Sequence, residues 1–403
     1  MFYRFKISAL DFATDCFDKE IMDHHAKYPA ISDLKAKARK RIPHFVWEYL
    51  DSATGKEATL ARNRDKLDEV LFHPSILHGE FTPDLSVEFL GKRYPLPFGV
   101  APVGMSGLIW PGAERSLARA AAKAGLPYSM STVATQTPED VAPHLGESAW
   151  FQMYPPRDPD IRTDMMARAK TAGFDTLIMT VDVPVASRRE RQTRGGLTQP
   201  PKLTGRLAMQ ATMRPVWLNG IRQTGMPRMK LMDGYAENAK LGDKMRSTTE
   251  HVGYLLRTSP DWDYVARLRE EWDGPLIVKG VSRGADAERL ESLGVDALWV
   301  SNHAGRQFDA SRATIEMLPE VRQATRLPVI FDSGIEGGLD ILRALALGAD
   351  FVMMGRAWHY ALGALGEEGP AHLVDILAKD MASNMGQLGA HNLSDLAGSL
   401  IAE

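Results

Sequence analysis

The sequence predicts a (β/α)8 TIM barrel, preceded by an N-terminal helical segment and interrupted by a long insertion after its fourth strand. From residue 96 onwards, eight short apolar runs alternate with loops and helical stretches. Strands that alternate with helices form parallel sheets, and eight such units form a closed barrel. Three of the apolar runs are preceded by a glycine, any residue and an aspartate, and a glycine at this place ends the preceding helix. These pairs are Gly173/Asp175, Gly294/Asp296 and Gly348/Asp350.

The predicted strands are 98–101, 128–131, 150–153, 176–179, 276–279, 297–300, 329–331 and 351–354. An open doubly wound sheet is the alternative arrangement. No Gly-x-Gly-x-x-Gly motif follows the first strand, so a dinucleotide-binding fold gains no support.

Helices are predicted before the barrel, from residue 31 to 40 and again from Pro43, where apolar residues recur at helical spacing. The residues ahead of them are weakly organised, and Met22 is an alternative start of the chain. We therefore divide the chain into an N-terminal extension over 1–29, a barrel domain over 30–395 and a C-terminal tail over 396–403. Residues 191–255 form an inserted loop within the barrel domain.

Composition excludes several classes of protein. The net charge of −3 gives no general reason to bind nucleic acid. The single cysteine, Cys16, excludes an internal disulfide, and no Cys/His group has the spacing of a metal site. No apolar run reaches the roughly 18 residues of a membrane-spanning helix. We therefore expect a cytoplasmic protein, with peripheral attachment to the inner face of the membrane left open by its insertion.

That insertion has an unusual composition between Arg191 and Met232. It holds eight basic residues and no acidic one, together with Trp217 and five methionines. One interpretation is a solvated lid over the mouth of the barrel. The other is a surface that meets an anionic membrane or a partner, because interfacial segments combine basic and bulky apolar residues.

The polar heptad from Ser301 to Gln307 follows the predicted strand 297–300 directly. His303 can accept a proton near neutral pH, and the guanidinium of Arg306 matches a carboxylate. Together they predict a site that holds an acid and removes a proton beside it. A histidine bonded within its loop and an arginine in a surface ion pair are the plainer alternative.

Polar residues end most of the other predicted strands, and in such barrels the active site lies at the carboxyl ends of the strands. Their convergence on one mouth favours catalysis. The glycines after the last two strands, with Arg356, also suit the usual phosphate location of the fold, although they could serve only as turns. The strand-end residues are Gln152, Tyr154, Thr180, Asp182, Arg189, Lys279, Ser301, His303, Arg306, Asp332, Gly334, Gly355 and Arg356.

The heptad Ser-Asn-His-Ala-Gly-Arg-Gln, with Val-Lys-Gly before it and Ala-Leu-Ala-Leu-Gly-Ala-Asp after it, resembles the FMN-dependent 2-hydroxy-acid oxidases and dehydrogenases. Glycolate oxidase, lactate dehydrogenases and mandelate dehydrogenase belong to this family. The resemblance covers about residues 30–395. It implies FMN on a (β/α)8 barrel and a homotetramer, with no metal.

Matched by position, His303 resembles the base that takes a proton from the substrate, and Asp182 the carboxylate that steadies its imidazolium. Arg306 and Arg189 resemble the arginines that hold the substrate carboxylate. The resemblance also gives Tyr49 and Tyr154 hydrogen bonds to the substrate, and it places Lys279 beside the flavin. The residues that resemble contacts to FMN are Pro102, Val103, Gly104, Ser131, Gln152, Thr180, Lys279, Ser301, Asp332, Gly334, Gly355 and Arg356.

Three positions depart from parts of the family. Gly104 stands where the oxidases usually carry alanine, and in this it resembles the membrane-linked dehydrogenases. Val133 replaces a tryptophan that faces the substrate in glycolate oxidase. Glu336 stands where most members have an arginine near the phosphate, and a carboxylate there would repel a phosphate.

The resemblance implies oxidation of a small, lactate-like L-2-hydroxy acid to the 2-keto acid. Gly104 and the basic insertion favour a quinone or another acceptor that is not oxygen. Two alternatives stay open. One is a soluble oxidase that reduces oxygen to hydrogen peroxide, and the other is a lapsed flavin-binding barrel that serves as a membrane-attached binding module.

Overall fold

Eight parallel strands close into a barrel in the computed structural model, which describes residues 24–197, 204–238 and 258–401. Each strand pairs with its neighbours in chain order, and the last pairs with the first. All eight predicted strands are present, with ends that differ by at most two residues. They are β3 Phe98–Val100, β4 Tyr128–Ser131, β5 Ala149–Met153, β6 Thr176–Thr180, β7 Leu276–Val281, β8 Ala297–Val300, β9 Val329–Phe331 and β10 Phe351–Met354.

A short antiparallel hairpin, β1 Val87–Phe89 and β2 Lys92–Tyr94, closes the amino-terminal end of the barrel. Its two turn residues, Leu90 and Gly91, both have positive φ, as a tight hairpin turn requires. Phe89 and Tyr94 pack on Phe351 inside the barrel, with ring centroids 5.0 and 5.3 Å away. The interior is therefore a filled core at this end, and only the opposite end is open to ligands.

Residues 24–27 are helical, and three further helices lie between them and the barrel in the described part of the chain: Ile31–Arg41, His44–Asp51 and Ala58–Asp68. The first of these three begins at Ile31, as predicted, where the Asp33 carboxylate accepts a hydrogen bond from the backbone N–H of Ala30. It packs through Leu34 and Ala38, both fully buried, on the helix that follows β10. This packing carries the N-terminal helices to the open end of the barrel.

The helices around the barrel begin and end as local chemistry dictates. Thr137, Asp158 and Asp261 cap helix starts by accepting backbone N–H groups, and Gly125 ends a helix in the left-handed conformation. These helices are Ser106–Ile109, Ala113–Ala124, Pro138–Val141, Pro159–Thr171, Trp262–Glu271, Gly284–Ser292, Thr314–Gln323, Gly338–Ala346, Arg356–Leu365 and Gly369–Leu388.

The described part of the segment predicted as an inserted loop contains four short helices: Glu190–Gly195, Gly205–Thr212, Pro215–Thr224 and Lys230–Asn238. Trp217 fixes them to the barrel, since its indole N–H donates to the Leu108 carbonyl and its ring meets Phe45 edge to face. Within the described ranges, no helix is both long and apolar enough to cross a membrane.

The ends of the chain complete the fold. Most of the predicted extension, with Cys16 and Met22, lies outside the described residues. The predicted tail begins inside a 3-10 helix, Leu393–Ser399, in which Leu396 is buried, and Leu400 bridges to Phe72. Residues 396–401 therefore pack against the body of the protein.

Candidate active site

A large cavity of about 1440 Å³ opens at the carboxyl ends of the strands. This exceeds the roughly 300–1,000 Å³ of most small-ligand sites, so it can hold a cofactor and a substrate together. Helices of the insertion form part of its wall. The predicted site residues on its surface are Tyr49, Pro102, Val103, Gly104, Tyr154, Arg189, Lys279, His303, Arg306, Asp332, Gly334, Gly355 and Arg356.

His303 and Asp182 form the hydrogen-bonded pair that the resemblance implies. Nδ1 of His303 lies 3.1 Å from Oδ1 of Asp182. Burial lowers the pKa of His303, and Asp182 opposes part of that change, while Lys279 and Arg189 add to it. Burial favours the acid form of Asp182, but His303 and Lys279 outweigh it and bring the pKa of Asp182 below its ordinary value. The resting pair is thus a neutral imidazole beside a carboxylate, which suits a base.

A left-handed turn aims His303 into the cavity. His303, Ala304 and Gly305 have φ values of 55°, 52° and 72°. The two non-glycine residues each hold this conformation at a cost of about 1 kcal/mol or more. The Asn302 side chain accepts from the Gly305 N–H, and the Ser333 hydroxyl accepts from the Ala304 N–H. Hydrogen bonds from neighbouring elements therefore maintain the strained turn.

Asn63, which the sequence analysis did not single out, secures the same turn from the helix Ala58–Asp68. The side-chain amides of Asn63 and Asn302 exchange two hydrogen bonds of 2.9 and 2.7 Å, and both side chains are buried. Gly305 approaches so closely that an added Cβ would lie 2.8 Å from the Leu60 nitrogen. The one signal available in the sequence was an asparagine inside a helix, where its propensity is poor.

Lys279 is buried at the base of the cavity. Its Nζ lies 2.6 Å from the Ser301 hydroxyl, 3.0 Å from Oδ2 of Asp332 and 4.0 Å from Oδ2 of Asp182. These contacts hold the ammonium in one place, where it can stabilise negative charge on a group bound beside it.

Arg306 and Arg189 supply positive charge above His303. Nη1 of Arg306 donates to the carbonyls of Tyr49 and Ser52, at 3.0 and 2.7 Å, at the carboxyl end of the helix His44–Asp51. Burial and the neighbouring Arg189 both lower the pKa of Arg306. Among the described residues, no carboxylate pairs with Arg306, so a bound carboxylate would relieve this repulsion.

The two tyrosines face this region differently. Tyr49 donates its hydroxyl to the Gly104 carbonyl at 2.8 Å, so its phenol already has a protein acceptor. Tyr154 is enclosed beside Asp182, Arg189 and Arg306, and burial, followed by Asp182, raises its pKa. Tyr154 therefore remains a neutral hydrogen-bond donor.

Four predicted flavin contacts lie behind the cavity surface. The Ser131 hydroxyl donates to Oε1 of Gln152 at 2.7 Å, and the Gln152 amide donates to Thr180 at 3.0 Å. Ser301 accepts from Lys279 and from the His303 N–H. All four side chains are buried, so they orient one another at the rim of strands β4 to β8.

The loops after β9 and β10 form the other end of the cavity. An added Cβ on Gly334 would lie 2.9 Å from Leu67 and 3.0 Å from the Asn63 carbonyl, so this glycine permits packing on the helix Ala58–Asp68. Arg356 donates Nε and Nη2 to the carbonyls of Leu50 and Ser52. The rest of its guanidinium fork remains available to an anion.

Gly104 and Val133 are complementary in shape. An added Cβ on Gly104 would lie 2.6 Å from Cγ2 of Val133. The Val133 methyl group therefore occupies the volume that an alanine at position 104 would need.

These features fit FMN. The cavity offers a buried ammonium beside a row of polar side chains at one end, and a glycine loop with a partly free arginine at the other. Between these two ends of the cavity and the insertion lie His303, which can accept a proton, and the two arginines Arg189 and Arg306. The fold and the site thus define a flavin-binding barrel with the residues of an oxidoreductase.

The comparison with known proteins agrees with a flavin-binding oxidoreductase. Residues 38–403 match the family model for FMN-dependent dehydrogenases. The chain is 35% identical over 377 residues to the L-lactate dehydrogenase of Caulobacter vibrioides, covering 92% of this chain and 97% of that protein. It is also 35% identical to the L-lactate dehydrogenase of Acinetobacter baumannii, over 91% of this chain and 95% of that one.

Among solved structures, a monotopic membrane protein, (S)-mandelate dehydrogenase, superposes with a TM-score of 0.86 at 32% identity. The match covers 93% of this chain and 99% of that chain. The chain belongs to the family of FMN-dependent 2-hydroxy-acid oxidases and dehydrogenases, and FMN is its cofactor.

Proposed function

We propose that this dehydrogenase oxidises a small, lactate-like L-2-hydroxy acid to the 2-keto acid and passes the electrons to a membrane quinone. The substrate class is supported by the pairing of His303 with Asp182 below two arginines that lack a carboxylate partner among the described residues. The curated relatives named above support the lactate-like side chain.

In this proposal Arg306 and Arg189 bind the substrate carboxylate, and Tyr154 donates a hydrogen bond to it. His303 takes the hydroxyl proton, and Asp182 stabilises the imidazolium that forms. When bound, FMN accepts the two electrons and the hydrogen that leave C2. Lys279 holds a positive charge where the accepted electrons accumulate.

The exposed surface of the insertion supports the quinone acceptor. Met209, Met213, Val216 and Met226 are each more than half exposed, and Arg206 and Arg222 lie among them on the same helices. Met226 also lines the cavity that contains His303. A quinone that arrives from this surface would therefore reach the cavity without passing through bulk solvent.

Not every basic residue of the insertion belongs to that surface. Arg191 pairs with Glu48, Asp51 and Glu57, at 2.7, 3.0 and 2.9 Å. Arg214 donates to the Ile42 carbonyl. These two arginines attach the insertion to the barrel, and Lys230 does so through Asp140. The charge offered to a membrane comes from exposed residues such as Arg206, Arg222 and Arg228, the last of which also pairs with Asp233 of its own segment.

His303→Ala tests the reaction. The variant should retain FMN and lose reduction of the flavin by lactate under anaerobic conditions, because it removes the base and leaves the cofactor site. A panel of lactate, glycolate and mandelate defines the side chain. Reduction at the wild-type rate in a single-turnover measurement would contradict the assignment.

Vesicle sedimentation tests the acceptor surface. We expect binding to phosphatidylglycerol vesicles at low salt, release at high salt and no binding to neutral vesicles. The triple change Arg206→Ser, Arg222→Ser and Arg228→Ser should abolish binding, since each basic residue near such a surface contributes about 1 kcal/mol. The matched control removes three exposed arginines elsewhere: Arg93, Arg283 and Arg312.

The reduced enzyme should react quickly with a soluble quinone analogue and slowly with oxygen. Rapid reoxidation by air, without vesicle binding at any salt concentration, would contradict the quinone proposal and support the soluble oxidase. We also propose a homotetramer, as the family resemblance implies, which light scattering coupled to size exclusion would test.

A further inference from the structure

The end of the cavity away from His303 carries a charge arrangement that the sequence analysis did not foresee. Glu336, on the loop after β9, faces this end, as does Lys35 of the helix Ile31–Arg41. Nζ of Lys35 lies 3.7 Å from Oε1 of Glu336 and 3.4 Å from Oδ1 of Asp51. A lysine from the N-terminal helix thus stands directly opposite the carboxylate that should repel a phosphate.

The other cations on this wall are already engaged. Arg64 donates to both oxygens of Asp340, to both oxygens of Asp68 and to the Gly334 carbonyl. Arg356 uses two of its donors on backbone carbonyls. All the N–H groups of Arg64 are therefore occupied by protein acceptors, whereas Arg356 retains N–H groups that can donate to a ligand.

Lys35 is held loosely by comparison. Its two carboxylate contacts are longer than the roughly 2.7–2.9 Å of a charge-assisted hydrogen bond. Asp51 is further neutralised by Arg191 and by the Tyr360 hydroxyl, at 3.0 and 2.9 Å. The Lys35 ammonium can therefore turn toward a bound anion without leaving a buried carboxylate unpaired.

A phosphate monoester carries a charge close to −2 at neutral pH. Arg356 alone would leave it poorly compensated, and Glu336 would add repulsion. We propose that Lys35 provides the second positive charge for the FMN phosphate and that Glu336 holds Lys35 in position. This inference rests on FMN as the cofactor and is independent of the substrate and of the electron acceptor.

Comparing FMN with riboflavin, which lacks the phosphate, isolates the contribution of Lys35. Release of flavin from the diluted holoenzyme is followed by the rise in flavin fluorescence, and the resulting apoprotein is titrated with each flavin. Lys35→Met should raise the Kd of FMN at least about 10-fold, equal to 1.4 kcal/mol, with the Kd of riboflavin unchanged. Lys35→Arg should retain FMN affinity within about threefold, because the charge remains.

A charge exchange and a matched control complete the test. Lys35→Glu should weaken FMN binding more than Lys35→Met, and adding Glu336→Arg should restore it. Lys40→Met, on the exposed side of the same helix, should change neither Kd. Equal losses of FMN and riboflavin in Lys35→Met, or an FMN Kd equal to that of the wild type, would overturn the proposal.

Discussion

Replacement of Asp182 by asparagine separates the charge of this side chain from its shape. The carboxylate lies 3.1 Å from Nδ1 of His303. Two unit charges at this distance interact by about 5 kcal/mol at an effective dielectric constant of 20. This is an upper bound, because asparagine still accepts a hydrogen bond, and charge-assisted hydrogen bonds contribute about 1.5–3 kcal/mol net. A loss near 3 kcal/mol would slow proton removal roughly 100-fold.

The pH dependence provides a second, independent readout. Asp182 raises the pKa of His303 against the effect of burial. Removing the carboxylate should therefore lower the pKa of His303 further, and the base stays neutral to lower pH. We expect the acid limb of the second-order rate constant for flavin reduction to move to lower pH as its plateau falls.

Anaerobic stopped-flow bleaching of the flavin absorbance, measured across pH, gives both quantities. Asp332→Asn is the control, since Asp332 lies 3.0 Å from Lys279 and has no contact with His303 among the described hydrogen bonds. It should leave the acid limb in place. A plateau within threefold of the wild type, or an acid limb that moves to higher pH in Asp182→Asn, would refute the assigned role.

Three further changes probe the architecture of the site. Arg306→Lys should raise KM and lower kcat, together by about 10- to 100-fold in kcat/KM, because lysine cannot contact the carbonyls and a substrate carboxylate at once; steady-state kinetics unchanged within error would contradict this. Gly104→Ala should cost about 1–3 kcal/mol of unfolding free energy by overpacking against Val133, and Val133→Ala should recover it in denaturant titrations; additive losses in the double variant would argue against the contact. Asn63→Ala should cost a similar amount by removing both hydrogen bonds to the buried Asn302 side chain and the acceptor of the Thr314 N–H, and should slow flavin reduction as the turn relaxes; an unchanged rate would show that the turn is held without it.

Much of this architecture could be predicted from the sequence. The eight strands were recognisable because buried parallel strands are continuous apolar runs, and three of them follow a glycine that ends the preceding helix. Placing His303 and Asp182 at strand ends predicted that they share one mouth, and the family resemblance implied that they pair. The hairpin below the barrel was not predicted, because its strands have three residues each and include charged Glu88 and Arg93.

Ion pairs between residues far apart in the sequence could not be predicted either, because they leave no local sequence pattern. Arg191 counted as one more basic residue of the insertion, although three carboxylates of the N-terminal region neutralise it. Lys35 and Glu336 are separated by most of the chain, and no local pattern links them. Such pairings depend on how helices dock on the barrel, which amphipathic spacing does not specify.

The hairpin that fills the amino-terminal end of the barrel has a kinetic consequence. With Phe89 and Tyr94 packed on Phe351, the described residues close the amino-terminal end of the barrel, and the entrance of the cavity lies at the carboxyl ends of the strands. The hydroxy acid and the oxidant must enter by that entrance in turn, and the keto acid must leave before the oxidant can approach. Turnover should therefore follow an alternating scheme, with parallel lines in double-reciprocal plots and competition between the keto acid product and the electron acceptor.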